Sequence, residues 1–192
     1  MTVMATLRNP AAQFVRDHAA PVITSFGFVR DKIQNTLCEL SINYRQSPLA
    51  AQDWSGMGHV RAGDRLPDSQ LADSAGSATT LFTATRRNNF AMLLLPGSDG
   101  RQGIARLRQF ADSLEREFPA LFYSLLIVRP GSRLPRSSGQ EPPLIDVENR
   151  IHHRLGVAAH AVVLVRPDGY IAYRGQPASE AAVREYLKGF VK

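Results

Sequence analysis

Between Phe90 and Val128 the chain carries a pattern that few architectures accept. Phe90 to Leu95 is an apolar run of strand length, and Pro96-Gly97-Ser98-Asp99-Gly100 stops it. Ile104, Leu107, Ala111, Leu114 and Phe118 follow at alternating spacings of three and four, a single apolar stripe along a helix. Pro119 closes that helix, and Phe122 to Val128 is a second apolar run, suited to a strand covered on both faces. A strand, a helix and a strand in this order form a crossover unit with parallel strands, and such crossovers are right-handed.

The flanking segments extend the pattern. Thr79 to Thr85 reads as a preceding strand, with Arg86-Arg87-Asn88-Asn89 as the turn. Residues 129 to 143 form a loop rich in Pro, Gly, Ser and Arg. Asp146 is placed to cap a short helix carrying Val147, Ile151 and Leu155, which Gly156 ends. Ala161 to Val165 is a strand, Pro167-Asp168-Gly169 a turn, and Tyr170 to Tyr173 the returning strand. Ser179 caps a last helix with Val183, Tyr186, Leu187 and Phe190 on one face. The order β-β-α-β-α-β-β-α predicts an α/β fold, a thioredoxin-like central sheet flanked by helices.

An N-terminal helical arm precedes it. Asn9-Pro10 starts a helix carrying Phe14 and Val15, and Pro21 opens a second in which Phe26, Ile33, Leu37 and Leu40 form a stripe. This arm has little of its own to bury that face against. Residues 46 to 80 are rich in Ser, Gly, Pro, Asp and Ala, with Trp54, Met57, Val60, Leu66 and Leu71 as isolated anchors, and read as loop. The organisation expected is an arm over 1–45, a linker over 46–79 and a thioredoxin-like domain over 80–192.

Tests for chemistry come out mostly negative. A redox domain of this order needs a thiol where the strand ending at Leu95 meets the next helix. The only cysteine is Cys38, beside Leu37 and Leu40, where a small buried apolar role is expected. The usual proline before the hairpin strand is replaced by Ala158-Ala159-His160. No G-x-S-x-G elbow or P-loop is present. Gly56-Met57-Gly58 begins like a dinucleotide fingerprint, but no third glycine follows at the required spacing and no strand is expected before it. His152 and His153 are consecutive on a predicted helix, diverge by about 100° and read as surface residues. His59 and Asp64 form at most a loop contact, and His160 reads as a capping or interface residue. No catalytic, cofactor-binding or metal-ligating set is expected.

Three ordered segments resemble the end of FAD-dependent aromatic-ring hydroxylases of the phenol hydroxylase and pentachlorophenol monooxygenase type. Leu40 to Leu49, with Tyr44-Arg45 and Ser47-Pro48-Leu49, resembles the segment closing their catalytic part. Arg61-Ala62-Gly63-Asp64-Arg65-Leu66-Pro67-Asp68 resembles the start of their C-terminal domain. His160 to Arg174, with Val165-Arg166-Pro167-Asp168-Gly169-Tyr170, is similar to their final hairpin. The resemblance implies a thioredoxin-like C-terminal domain without thioredoxin chemistry. It places FAD and the aromatic substrate in N-terminal domains that have no counterpart in these residues. Gly63-Asp64 is followed by Arg-Leu-Pro and not by the Ala-Ala-His of the family's flavin-contacting motif, so no catalytic residue carries over.

Two functions fit. The chain is a non-catalytic part of a flavin monooxygenase that packs on a flavin-binding catalytic domain or forms a homodimer through Phe14, Phe26, Ile33 and Leu37. Alternatively it is a stand-alone thioredoxin-like binding protein for a small ligand or a protein partner. Its net charge of +6 does not point to nucleic acid, because the arginines are scattered, Arg86-Arg87 is the only basic doublet and no stacking motif accompanies them. No apolar run is long enough to span a membrane and no secretory leader is visible, so a cytoplasmic location is expected.

Overall fold

The computed structural model describes residues 42–98, 100–132 and 141–191. The chain divides into two units, 1–42 and 43–192, and the second is described here. Phe14, Phe26, Ile33, Leu37 and Cys38 lie outside the described residues, as does the expected helical arm around them.

The crossover unit forms as its pattern dictates. Strand β4 (Phe90–Leu95), a helix (Gly100–Glu117) and strand β5 (Phe122–Val128) follow one another, with β4 and β5 parallel. Strand β7 (Ala161–Val165) runs antiparallel beside β4 and turns into β8 (Ile171–Gln176). The returning strand therefore reaches Gln176, beyond the expected Tyr173. Short strands complete the edges: β1 (Ala51–Trp54) lies parallel to β8, and β6 (Leu144–Ile145), β2 (Gln70–Ala72) and β3 (Ala78–Thr80) extend the sheet past β5. The resulting eight-stranded order is β1-β8-β7-β4-β5-β6-β2-β3. This is the thioredoxin-like arrangement: a parallel crossover pair with an antiparallel hairpin added beside its first strand.

The helices are α1 (Leu81–Thr85), α2 (Gly100–Glu117), α3 (Arg150–Leu155) and α4 (Glu180–Lys188). Strand alternation sends Met92 and Leu94 to one face, where they pack with Ile104, Leu107, Leu114, Val183 and Leu187 of α2 and α4. Leu93 and Leu95 point to the other, against Leu81, Ile151 and Leu155 of α1 and α3. Two covered faces explain why the central strands read as unbroken apolar runs. Among the described residues no helix is long and apolar enough to cross a membrane.

Three expectations are corrected. Residues 46 to 80 are not merely loop: β1, β2 and β3 lie there, each too short to show a period of its own. Thr79 to Thr85 is not a strand. Thr80 ends β3 and caps α1, its hydroxyl accepting from the Thr83 N–H at 3.1 Å, while Thr85 donates back to the Leu81 carbonyl at 2.8 Å. Such local hydroxyl bonds compete with a strand ladder. The N-cap of α3 is Asn149, not Asp146.

Candidate functional site

The β4–α2 junction is where a thioredoxin-like sheet holds a reactive thiol, because a helix N-terminus stabilises the thiolate. Here Ser98 occupies it. Its backbone N–H donates to the Ala158 carbonyl at 3.0 Å, and its hydroxyl donates to the same oxygen at 2.9 Å. Gly97 sits at φ +61°, and a Cβ there would overlap the Ala159 carbonyl. The junction is thus closed by backbone packing against the loop before β7, and no cysteine occurs among the described residues.

A second cluster joins all three segments singled out in the sequence. Arg45 forks onto Asp64, Nε to Oδ1 at 2.6 Å and Nη2 to Oδ2 at 2.8 Å, while the Arg61 N–H also donates to Asp64 at 2.8 Å. The Tyr44 N–H donates to the Gly63 carbonyl at 2.7 Å, and the Gly63 N–H to the Ile171 carbonyl at 2.7 Å. The Tyr44 ring meets Tyr170 edge-on, with centroids 4.8 Å apart, and the Arg166 guanidinium lies 5.5 Å from the Tyr44 ring centroid. Residues 43–45 are therefore a strap clamped over 61–66 and the β7–β8 hairpin. Gly63, at φ +88°, is the point of closest approach: a Cβ there would overlap the backbone of Tyr44 and Arg45.

Two buried polar groups escaped the sequence reading. His152 is a buried residue, 1% exposed, and not a surface one; its Nδ1 meets the Asp146 carboxylate, 0% exposed, at 2.8 Å. The His152 N–H donates to the same oxygen at 3.0 Å. Burial pushes the Asp146 carboxyl up, but the bonds from the His152 ring and from the His152 and Ile151 N–H groups outweigh it, and the group ends below the ordinary carboxylate range. Among the described residues His152 Nε2 has no hydrogen-bond partner. Spacing held a signal: Leu155 is buried, and His152 lies three residues before it on the same helical face. His153 is exposed.

Arg174, 2% exposed, is the second. Its guanidinium lies 3.6 Å from the Trp54 ring centroid, and Nη2 donates at 2.8 Å to the carbonyl of Leu155, the last residue of α3. Burial lowers its pKa to about 10, opposed by the charge of Asp64. A cation there complements the negative end of the helix.

The residues fit FAD poorly. Gly56-Met57-Gly58 does follow a strand, β1, contrary to expectation, but no helix starts after it before Leu81. Its glycines press on protein: a Cβ at Gly58 would lie 2.7 Å from the Leu155 carbonyl, and one at Gly56 2.9 Å from Gln176 Nε2. No pyrophosphate cradle on a helix N-terminus results. No hydrogen bond or ion pair joins His59 to Asp64, whose carboxylate serves Arg45 and Arg61. Among the described residues no group of three or more His, Cys, Asp or Glu side chains is placed to hold a metal.

Sheet order and junction together define a class: a thioredoxin-like domain with no thiol at the strand–helix turn. The family described as aromatic-ring hydroxylase, C-terminal, matches residues 59–191, and the chain belongs to it. Among solved structures, aklavinone-11 hydroxylase in a ternary complex with FAD and aklavinone is similar at 19% identity and a TM-score of 0.50, over 78% of this chain and 26% of that one. A thiol peroxidase from Chromobacterium violaceum is similar at 17% identity and a TM-score of 0.50, over 70% of this chain and 90% of that one. The flavin-dependent monooxygenase PieE, in complex with FAD and substrate, matches at 24% identity and a TM-score of 0.42, over 59% of this chain and 17% of that one. The chain thus spans only a fraction of the length of aklavinone-11 hydroxylase and of PieE. No curated protein matches it.

Proposed function

We propose that this chain is a non-catalytic, redox-inactive module of the kind that ends FAD-dependent aromatic hydroxylases, and that its role is structural. The observation that carries the reading is the β4–α2 junction, where Ser98 and Gly97 spend the geometry of a thiol site on backbone packing. The family match supports the link to hydroxylases. On this reading the chain binds no flavin, and it associates with a flavin-binding catalytic domain or with a second copy through the stripe of Phe14, Phe26, Ile33 and Leu37.

Four measurements test it. The purified protein is expected to be colourless, to give no saturable heat on titration with FAD, and to leave the rate of insulin reduction by dithiothreitol unchanged. Micromolar binding of FAD, or catalysis of disulfide reduction, overturns the reading. Light scattering is expected to find a dimer that Phe26→Asp with Ile33→Asp shifts toward monomer. A monomeric wild type at high micromolar concentration removes the self-association part.

A further inference from the structure

The β7–β8 turn, helix α1 and the bridge between Arg65 and Tyr170 border an open groove of about 340 Å³. Its lining includes Arg65, Phe82, Arg86 and Asp168. The Arg65 guanidinium lies 5.5 Å from the Phe82 ring centroid and 5.9 Å from that of Tyr170. Contact with ring faces leaves the in-plane N–H groups of a guanidinium free to donate. Among the described residues, neither Arg65 nor Arg86 has a carboxylate partner. Asp168, the only carboxylate of the lining, is engaged by Arg166 and accepts from the Tyr170 N–H at 3.3 Å. The threonine hydroxyls are occupied as well: Thr83 pairs with Thr80 at 3.1 Å, and Thr85 donates to the Leu81 carbonyl.

What this groove offers a ligand is two exposed cations without a carboxylate partner and the 37% of Phe82 that is exposed. A planar guanidinium fork matches a carboxylate in shape and charge, and an exposed ring offers a stacking face. We propose that the groove binds a small aromatic carboxylate, its carboxylate on Arg65 and Arg86 and its ring on Phe82. The volume is ample for a ligand of one ring. The site lies away from the β4–α2 junction and owes nothing to flavin chemistry.

Benzoate is the probe, titrated into the full chain by protein-observed NMR beside acetate, cyclohexanecarboxylate and inorganic phosphate. Benzoate is expected to saturate with a Kd of about 1 mM or tighter, with the shifts centred on Arg65, Phe82 and Arg86. The three other anions are expected to bind more weakly. Arg65→Gln and Arg86→Gln, both exposed positions, should each weaken benzoate by about tenfold with the spectrum otherwise native. Phe82→Leu should erase the preference for benzoate over cyclohexanecarboxylate. Failure of benzoate to saturate, phosphate binding as tightly as benzoate, or full affinity retained in Arg65→Gln would each overturn the proposal.

Discussion

A carboxylate removed from water survives as an anion only where its oxygens are held, and Asp146 is so placed. Hydrogen bonds from His152 and its backbone keep its pKa below the ordinary value in the folded chain. In the unfolded chain the group titrates near 3.9. Its contribution is therefore fully present above that pH and is lost as the pH falls through the depressed folded value. Asp146→Asn is expected to cost about 1–3 kcal/mol at neutral pH, and the gap from wild type should narrow in acid. Urea unfolding followed by the fluorescence of Trp54, the only tryptophan, measures this at pH 7 and pH 3.5; an equal gap at both refutes it. Sequence reading gave Asp146 the role of N-cap of α3, where Asn149 stands, and did not give it its partner His152. Two adjacent histidines look alike until the helix is docked, and Ile151 and Leu155 then decide that His152 turns inward.

Elements covered on both faces were the most legible. Phe90–Leu95, Phe122–Val128 and Ala161–Val165 agree with their apolar runs to the residue, because burial on two sides leaves few polar positions to blur a boundary. The edge strands were not legible. Strands of three or four residues show no period, and β1 and β2 find partners in β8 and β6, far along the chain. The β4–α2 turn belongs to this scale too. Gly97→Ala must adopt a positive φ and push against Ala159, and is expected to destabilise by about 2 kcal/mol or more. On α2, Leu114 is fully buried, and Leu114→Ala should cost about 2–5 kcal/mol through the cavity left behind. Equilibrium unfolding checks both; a loss under about 0.5 kcal/mol at either position would show that the backbone or the core relaxes around it.

In the molecule as a whole, the three segments that carried the family resemblance meet in one cluster. Sequence revealed the motifs; that they touch one another depends on a fold that returns residues 166–171 to residues 43–45. Gly63 is the test point. Gly63→Ala should displace the strap, open the Arg45–Asp64 fork and expose the peptide after Arg45 to trypsin, while α2 and the central strands keep their amide protection. Trypsin resistance at Arg45 equal to wild type would mean the strap is held elsewhere. The strap pair itself is half-exposed at Arg45, so Arg45→Ala alone should cost no more than about 1 kcal/mol.

Strand β1 adds a constraint of another kind, on timing. Ala51 lies opposite Tyr173 and Trp54 opposite Gln176, so one of the first strands of this unit to leave a ribosome must wait for the last. At roughly 5–20 residues per second that delay is on the order of ten seconds. Throughout it the strand stays unpaired, and Trp54 lacks the arginine that covers its ring. Cooperative closure of the sheet consequently comes late, after β8 has emerged, and the short β1, with Gln52 and Asp53 at its centre, is the kind of edge that tolerates such a wait without seeding aggregation.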